Sequence, residues 1–321
     1  MALPNAASVV STGLAGYPSI YYDRVAIDTL RSNLFLYQAC EPKTMPDKSG
    51  TAMQIFGYTA FGPNTTPATE GTPGAGQALT QNIRTINLSQ FVDYVSFSDK
   101  VVMTSISDVV TEGASELAYR GALSVDTVIS TAVDAAATAD PTTQIALTGT
   151  NYLTASVSRK AAMQLRALNV KPKANGNFFG LVHALVTFDL VNDATAGGFI
   201  DMTKYTDAKP LQDGIAPNGF IGRVSGVEWY ESNSLPFTAG TPNLYNSYVI
   251  GYQAFLASSL GKTQLGQKNF SVKVSKFDQP IALDPANQIA AAASYNYYFG
   301  VAKRPGSISG FRQISSPSSI G

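Results

Sequence analysis

Residues 104–137, TSISDVVTEGASELAYRGALSVDTVISTAVDAAA, decide the fold. Apolar side chains recur there at the three- and four-residue spacing of a single helix face. Ser105 and Asp108 have the spacing of a capping box at the start. At 1.5 Å per residue this helix is about 50 Å long, several times the usual length. Gly113 and Gly121 each cost about 1 kcal/mol in a helix interior, so they predict close packing against a neighbour. No sustained heptad follows, which argues against a coiled coil.

The segment before this helix predicts a long β-hairpin. Residues 51–61 and 83–102 are rich in Phe, Tyr, Val, Ile and Thr, as strands are. Residues 62–82 between them contain three prolines, four glycines and Glu70 as the only charge. Loops of this length are uncommon inside compact domains, so we expect a hairpin that reaches away from its core; a floppy surface loop is the alternative. Earlier still, residues 19–40 predict an apolar helix behind a loose arm.

The segment after the long helix mixes shorter elements. Residues 156–168 predict an amphipathic helix, and residues 178–190, FFGLVHALVTFDL, predict a buried strand. Further strand or short-helix material is expected at residues 219–231, 248–260, 270–283 and 295–299. A polar tail is expected after that. Strands and helices without regular βαβ spacing indicate an α+β protein of one large domain or two smaller ones.

Composition excludes several functional classes. The 321 residues include 22 basic and 22 acidic side chains, and charged residues make up 14% of the chain against about 25% in typical domains. A net charge of zero predicts no strong electrostatic binding to nucleic acid or to an anionic membrane surface. The start of the chain has no secretion signal, and no apolar run is long enough to span a membrane. Low charge is typical of obligate subunits, although a surface solvated by hydroxyls and amides is the alternative.

No catalytic or metal template is complete. One Cys and one His cannot supply a disulfide or a closed zinc site. His183 lies between apolar neighbours, which predicts a core histidine, and Cys40 ends an apolar helix face, which predicts an inert thiol. GKT at residues 261–263 lacks the first glycine of a phosphate loop, because Leu256 stands there. We therefore expect no enzyme, no cofactor and no metal.

One row of carboxylates remains, on the long helix. Asp108, Glu112 and Glu116 lie four residues apart, and Arg120 follows at the next step. Such a row can bind a divalent cation, but nothing supplies a second set of ligands. A solvated helix face with a Glu116–Arg120 ion pair is the preferred interpretation.

The order of these parts resembles the major capsid proteins of tailed bacteriophages. Residues 66–102, TPATEGTPGAGQALTQNIRTINLSQFVDYVSFSDKVV, are similar to the TEG, GQALT and FS stretch of the N-four-like podophage capsid family. Residues 116–129, ELAYRGALSVDTVI, are similar to the spine helix of that family, and residues 178–190 to a strand of its axial domain. That strand normally continues with His-Pro, whereas Ala184 follows His183 here.

The resemblance implies a fold and a division of the chain. The fold is the α+β type of tailed-phage and herpesvirus major capsid proteins. Its parts are an N-terminal arm with a helix at residues 1–45, an extended hairpin loop at 46–103 and a peripheral-domain spine helix at 104–140. A mainly axial domain follows at 141–265, and return strands to the peripheral domain with a C-terminal tail at 266–321.

The resemblance also implies a function. Copies of the chain would form pentamers and hexamers and close them into an icosahedral shell around packaged double-stranded DNA. The shell would contact this DNA weakly and without sequence preference. A portal protein at one vertex is the implied partner, scaffolding or decoration proteins are left open, and no membrane is involved. The chain would be found in the virion shell, and in the host bacterial cytoplasm during assembly. Candidate contacts between subunits are Tyr21, Tyr22, Arg24, Phe61, Thr66, Glu70, Gln77, Arg84, Glu112, Glu116 and Arg120.

Two other classes stay open at this point. One is a different self-assembling phage component, such as a decoration or tail protein, against which the long helix argues. The other is a hydrolase-like enzyme with an unrecognised site, which the single His disfavours. Two stretches nearly free of charge, residues 49–83 with Glu70 alone and residues 285–302 with none, are the segments expected to touch neighbours.

Overall fold

The computed structural model describes most of the chain outside the N-terminal arm. The described residues are 35–46, 49–59, 61–67, 70–71, 76–104, 108–173, 175–193, 220–260, 272–276, 284, 288–306 and 309–320. Most of the predicted helix at residues 19–40 lies outside these ranges, as do the predicted contacts Tyr21, Tyr22 and Arg24.

Helices and strands are interspersed along the described residues, so the α+β class is confirmed. The helices are α1 (Phe35–Ala39), α2 (Asp99–Thr104), α3 (Val109–Ala139), α4 (Ala155–Ala167) and α5 (Ala184–Val191), with a 3-10 turn at Pro141–Thr143. The first strands are β1 (Glu41–Met45), β2 (Ala52–Tyr58), β3 (Gln81–Asn87), β4 (Ser89–Ser98), β5 (Gln144–Ala146), β6 (Phe178–Val182) and β7 (Phe220–Val224). The others are β8 (Val227–Glu231), β9 (Phe237–Thr238), β10 (Leu244–Ile250), β11 (Phe255–Leu260), β12 (Lys273–Lys276), β13 (Ile289–Lys303) and β14 (Phe311–Ser316).

The long helix α3 is the predicted central element. It has 31 residues and is capped by Asp108, whose carboxylate accepts a hydrogen bond from the Thr111 amide at 3.4 Å. The helix thus begins after Asp108, five residues later than the predicted start, because this side chain satisfies one of the free amides of the first turn. The predicted close packing at Gly113 is confirmed: a Cβ there would lie 2.8 Å from the Phe97 ring. Ser105 lies outside the described residues.

The first sheet is built around the long strand β13. Strand β4 pairs with one side of β13 in antiparallel register, from Ser89 opposite Phe299 onward. Strands β11 and β12 pair with its other side, and β1 runs parallel to β11 at the edge. Alternate residues of β13, including Tyr297, face the buried side of α3. This sheet and the long helix share the larger hydrophobic core.

The second sheet is buried on both faces. Its strand order is β5-β14-β10-β6-β8-β7, with β9 paired to β10. On β6, Phe179 and Leu181 belong to the core shared with α3, whereas Phe178 and Val182 belong to the core under α4 and α5. The period-two alternation of a strand therefore sends neighbouring residues to two different cores.

The predicted strand at residues 178–190 is wrong in its second half. Strand β6 ends at Val182, and His183 becomes the N-cap of α5, where its Nδ1 accepts a hydrogen bond from the Leu185 amide at 3.3 Å. A short apolar run is compatible with either a buried strand or a buried helix, so periodicity alone could not find the change.

The predicted polar C-terminal tail is also wrong. Strand β14 pairs with both β10 and β5 inside the second sheet, and its Arg312, Gln313 and Ser316 are buried. Strand β11, from within residues 141–265, instead joins the first sheet. The two sheets therefore exchange strands across the predicted boundary at residue 265.

Candidate functional site

The hairpin of β2 and β3 is a two-stranded sheet of its own. The two strands pair over seven residues, from Ala52 opposite Asn87 to Tyr58 opposite Gln81. The ladder continues one step further, where the Thr59 amide donates to the Thr80 carbonyl at 3.1 Å. Because residues directly opposite each other share a face, Phe56 and Ile83 lie side by side.

One face of this hairpin packs against the first sheet. A hydroxyl of Ser258, on β11, donates to the Met53 sulfur at 3.6 Å, and Ile86 is fully buried. The chain approaches most closely at Gly300 of β13, where a Cβ would lie 2.3 Å from the Asn87 carbonyl oxygen. These contacts hold the base of the hairpin to β11 and β13.

The other face is open and carries large apolar side chains beside the polar Gln54, Gln81 and Thr85. Five large hydrophobic side chains along the hairpin and its loop are more than half exposed. They are Phe56, Tyr58, Phe61, Leu79 and Ile83, and are called here the hairpin face. A two-stranded sheet cannot bury its own apolar side chains, so they are covered only when another part of the chain or another molecule packs against them. Of the five, only Phe61 was among the predicted contacts.

The other predicted hairpin residues are exposed as well. Thr66, Glu70 and Gln77 lie in the loop, and Arg84 lies on β3 opposite Ile55. The Thr66 amide donates to the side-chain oxygen of Asn64 at 3.1 Å, which makes a local turn. These residues all lie in the hairpin or its loop, but they do not form one cluster of contacts.

The outer side of α3 forms a second open surface. Glu112, Glu116 and Arg120 are exposed there, as predicted for a solvated helix face. The predicted Glu116–Arg120 ion pair is wrong, since Arg120 Nε lies 3.0 Å from an oxygen of Asp93 on β4. Tyr119 and Leu123 are also exposed on this side and were not among the predicted contacts.

Comparison with known proteins identifies the family. Residues 81–306, more than two thirds of the chain, match the family described as phage capsid protein. The chain belongs to the phage capsid protein family. No curated protein matches it in sequence.

Solved capsids share the fold of this phage capsid protein. The capsid of Ralstonia phage GP4 superposes with a TM-score of 0.67 at 12% identity, over 88% of this chain and 87% of that one. The acid-stable capsid of Helicobacter pylori bacteriophage KHP30 gives 0.61 at 12% identity, over 87% and 88%. The mature capsid of bacteriophage PhiM1 gives 0.56 at 14% identity, over 98% and 91%. At these identities the likeness establishes the fold.

The resemblance predicted from residues 66–102 and 116–129 is therefore confirmed. So is the predicted function, a major capsid protein of a phage shell, which the family match carries. The family indicates a structural protein. The two sheets, the long helix and the projecting hairpin are the parts from which this capsid protein presents its surfaces.

The single His and Cys of the capsid protein have structural surroundings. The His183 ring stacks on Tyr245 with centroids 4.6 Å apart, is half-buried rather than buried as predicted, and burial lowers its pKa below the ordinary value. Cys40 is buried as predicted, and burial raises the pKa of its thiol to about 12. Nδ1 of His183 accepts the hydrogen bond from the Leu185 amide, so this nitrogen is occupied by the cap of α5.

A lysine beside Cys40 ties the first helix to the second sheet. Lys173 donates to the Gln38 carbonyl at the end of α1, and its Nζ lies 4.2 Å from the Phe179 ring centre. Burial lowers the pKa of Lys173 to about 8, although Cys40 and Glu228 act in the opposite direction. These contacts fix the point where the arm joins the body.

The described ranges contain no metal cluster and no membrane-spanning helix. Within them, no three His, Cys, Asp or Glu side chains come together in a way that could hold a metal ion. Asp108 is used as the cap of α3, so the predicted carboxylate row loses its first member. Among the same residues, no helix combines the length and the apolar character needed to cross a bilayer.

Proposed function

We propose that the chain assembles as pentamers and hexamers and closes an icosahedral shell around the double-stranded DNA of a tailed bacteriophage. The observation that carries this proposal is the hairpin face, a set of exposed apolar side chains on a two-stranded hairpin of a phage capsid protein. Such a surface is suited to contact with other copies of this chain, because the cores of subunit interfaces are apolar and depleted in charge.

The hairpin supplies the adaptable part of the contact. A closed shell requires one sequence to accept neighbours in slightly different positions. In this proposal the two packed sheets and α3 are the rigid frame. The hairpin is a strap whose paired strands contact the frame at Ile86, Gly300 and Gly57, while its loop is free to adapt. Obligate interfaces bury about 2,000 to 5,000 Å², and a projecting strap reaches that area without enlarging the core.

The division into capsid domains is part of the proposal. We assign α3 and the first sheet to the peripheral domain, and the second sheet with α4 and α5 to the axial domain. The separate hydrophobic core under α4 and α5 supports this assignment. The arm at residues 1–45 and the extended loop at 46–103 are kept as proposed ranges, although β1 and β4 within them belong to the first sheet. The predicted boundaries at 140 and 265 stay proposals, with β11 and β14 crossing the second.

The partners follow from the shell. A portal protein occupies one vertex, scaffolding or decoration proteins are further candidates, and packaged DNA touches the inner wall weakly. Assembly takes place in the host cytoplasm before the chain is part of the virion. The candidate contact residues of the arm, Tyr21, Tyr22 and Arg24, belong to this proposal together with those of the hairpin and of α3.

Changing the hairpin face tests the proposal. The triple variant Phe56→Ser, Tyr58→Ser, Ile83→Thr replaces three side chains that are each more than half exposed, so we expect a folded chain. Negative-stain microscopy should show shells for the unchanged protein and none for the variant. Met163→Gln, which changes a comparably exposed apolar side chain on α4, is the matched control and should give shells.

Deleting residues 64–80 tests the strap more drastically. The paired strands β2 and β3 remain, so the monomer should fold while shells fail to close. Normal particles from both the deletion and the triple variant would refute the proposed role of the hairpin as a strap between subunits. If the unchanged chain formed only monomers with its natural partners present, the shell itself would be refuted.

A further inference from the structure

One segment of this neutral protein carries basic side chains without acidic ones. Residues 141–188 contain no Asp and no Glu, although the whole chain has 22 acidic residues. The same segment contains five basic residues, namely Arg159, Lys160, Arg166, Lys171 and Lys173. A zero net charge therefore hides a local excess of positive charge around α4.

Three of these side chains project from one helix. Arg159, Lys160 and Arg166 are exposed on α4, and they are called here the α4 basic face. Arg159 and Arg166 are seven residues apart, two turns along the same side, which separates them by about 10 Å along the axis. Neither forms an ion pair with a carboxylate in the part of the chain that the structure describes.

The two arginines are held by the same tight turn. Strands β7 and β8 are joined by Ser225 and Gly226, both with positive φ. Arg159 Nε donates to the Ser225 hydroxyl at 3.4 Å. Nη2 of Arg166 lies 2.7 Å from the position that a Cβ at Gly226 would occupy, so the guanidinium packs over this turn. The turn restricts both side chains and lowers the entropy they lose on binding an anion.

The charges around this turn do not neutralise the face. Glu228 on β8 is buried and pairs with Arg223 at 2.8 Å. Asp193 is buried and accepts a hydrogen bond from the Ala155 amide, the first residue of α4, at 2.8 Å. Beneath the helix, the buried Arg312 donates from Nε to the side-chain oxygen of Gln164, a neutral acceptor, at 3.0 Å. The local balance is positive.

We propose that the α4 basic face binds the phosphate backbone of double-stranded DNA on the inner wall of the shell. The inference rests on the proposed function, because packaged DNA is the polyanion that the shell encloses. Planar guanidinium groups fit phosphate oxygens in bidentate geometry. Two guanidinium groups about 10 Å apart can each contact a different phosphate of the duplex. Contacts of this kind carry no sequence information, as packaging of any genome sequence requires.

Salt-dependent DNA binding by the full-length chain tests the proposal. The probe is a fluorescent 30-base-pair duplex, and the variant is Arg159→Gln, Lys160→Gln, Arg166→Gln. Three lost phosphate contacts should reduce the slope of log affinity against log salt by about 2.7. Between 50 and 200 mM salt, the unchanged protein should lose about 40-fold more affinity than the variant. The charge-conserving pair Arg159→Lys, Arg166→Lys should keep the slope.

A second triple variant controls for total charge. Lys100→Gln, Lys273→Gln, Arg304→Gln removes three exposed positive charges elsewhere and should leave the slope unchanged. An equal loss in both triple variants, or no loss in the α4 variant, would overturn the proposal. Binding to phosphatidylserine vesicles without binding to the duplex would also overturn it and indicate a membrane surface instead. Negative-stain microscopy reports separately on the shell, so a failure of the DNA contact and a failure of the shell are distinguishable.

Discussion

The carboxylate of Asp93, on β4, lies 3.0 Å from Nε of Arg120, on α3. This ion pair joins the strand that follows the hairpin to the outer side of the long helix. The Arg120 side chain is 70% exposed, so water and salt screen the attraction.

We expect the Asp93–Arg120 pair to contribute little stability. A double-mutant cycle with Asp93→Asn and Arg120→Gln should give a coupling energy of about 0.2 to 1 kcal/mol, as for other exposed pairs. Urea unfolding measures it, and the coupling should fall further in 1 M NaCl. A coupling above about 2 kcal/mol would mean that the pair is buried in the folded protein.

Gly300→Ala should loosen the hairpin from the body. The added Cβ would meet the Asn87 carbonyl oxygen at 2.3 Å, and a backbone atom cannot move aside without displacing β3. We expect a loss of about 1 to 3 kcal/mol in the free energy of unfolding and faster proteolysis within residues 50–88. Gly62→Ala is the matched control, because nothing lies within 4 Å of its Cβ position. Equal proteolysis of both variants would contradict the assigned anchor.

The long helix and the hairpin loop could be predicted from the sequence because each follows from local pattern. The apolar spacing of residues 109–139 and the turn-rich loop of residues 62–82 are properties of neighbouring residues alone. The predicted single strand at residues 83–102 is wrong, since it divides into β3, β4 and α2, and β4 pairs with β13 instead of β2. The partner of Arg120 could not be predicted in this way. It depends on the register in which β4 pairs with β13, which places Asp93 opposite Tyr295 and below the helix.

Strand β14 was missed for a different reason. Its sequence, FRQISS, has the polarity of a surface tail. Arg312 and Gln313 are nevertheless buried, because each finds a polar partner on a helix that is distant in sequence, at Gln164 and Asp134. Sequence patterning treats polar residues as exposed, whereas burial is permitted once hydrogen bonds are satisfied. The hairpin face shows the reverse case, in which apolar residues are left uncovered by their own chain.

Asp134 connects α3 to the second sheet through three hydrogen bonds to one oxygen. Tyr248, Asn246 and Gln313 all donate to its Oδ1, the last at 2.7 Å. Asp134→Asn keeps this acceptor, whereas Asp134→Ala leaves three donors without it. We expect the alanine variant to lose about 1 to 3 kcal/mol in urea unfolding and the asparagine variant to lose less.

The pH dependence of stability should report on the same carboxyl group. Burial raises the pKa of Asp134 above its ordinary value, against the opposing effect of the Tyr248 and Asn246 hydrogen bonds. The folded state therefore holds the proton more tightly, so this contribution to stability is full below about pH 4 and is lost as pH rises through the folded pKa. The stability difference between the unchanged protein and Asp134→Asn should shift against the unchanged protein over that range. A difference that is constant with pH would refute the burial of the charge.

Cys40 should be unreactive in the folded chain. Burial raises the pKa of its thiol to about 12, so almost no thiolate exists near neutral pH. Incubation with a disulfide reagent such as DTNB at pH 8 should release no chromophore until urea unfolds the protein, and then one equivalent per chain. Rapid reaction of the folded protein would show that the α1 end opens readily, which the contact between Lys173 and the Gln38 carbonyl opposes.

Ala184→Pro should stabilise the protein. The change also restores the His-Pro sequence that normally follows the axial-domain strand in the N-four-like podophage capsid family, which the chain resembles. Ala184 is the first residue of α5, where proline is favoured because the amide has no partner within the helix. His183 has φ −73° and ψ 143°, the extended conformation that a residue before proline prefers. We expect a gain of about 0.4 to 1 kcal/mol in the free energy of unfolding, from the lower entropy of the unfolded chain. Thr187→Pro is the contrasting variant, since the Thr187 amide donates to the His183 carbonyl at 3.0 Å, and it should cost about 3 kcal/mol. A loss from Ala184→Pro as large as that from Thr187→Pro would place the start of α5 elsewhere than at residue 184.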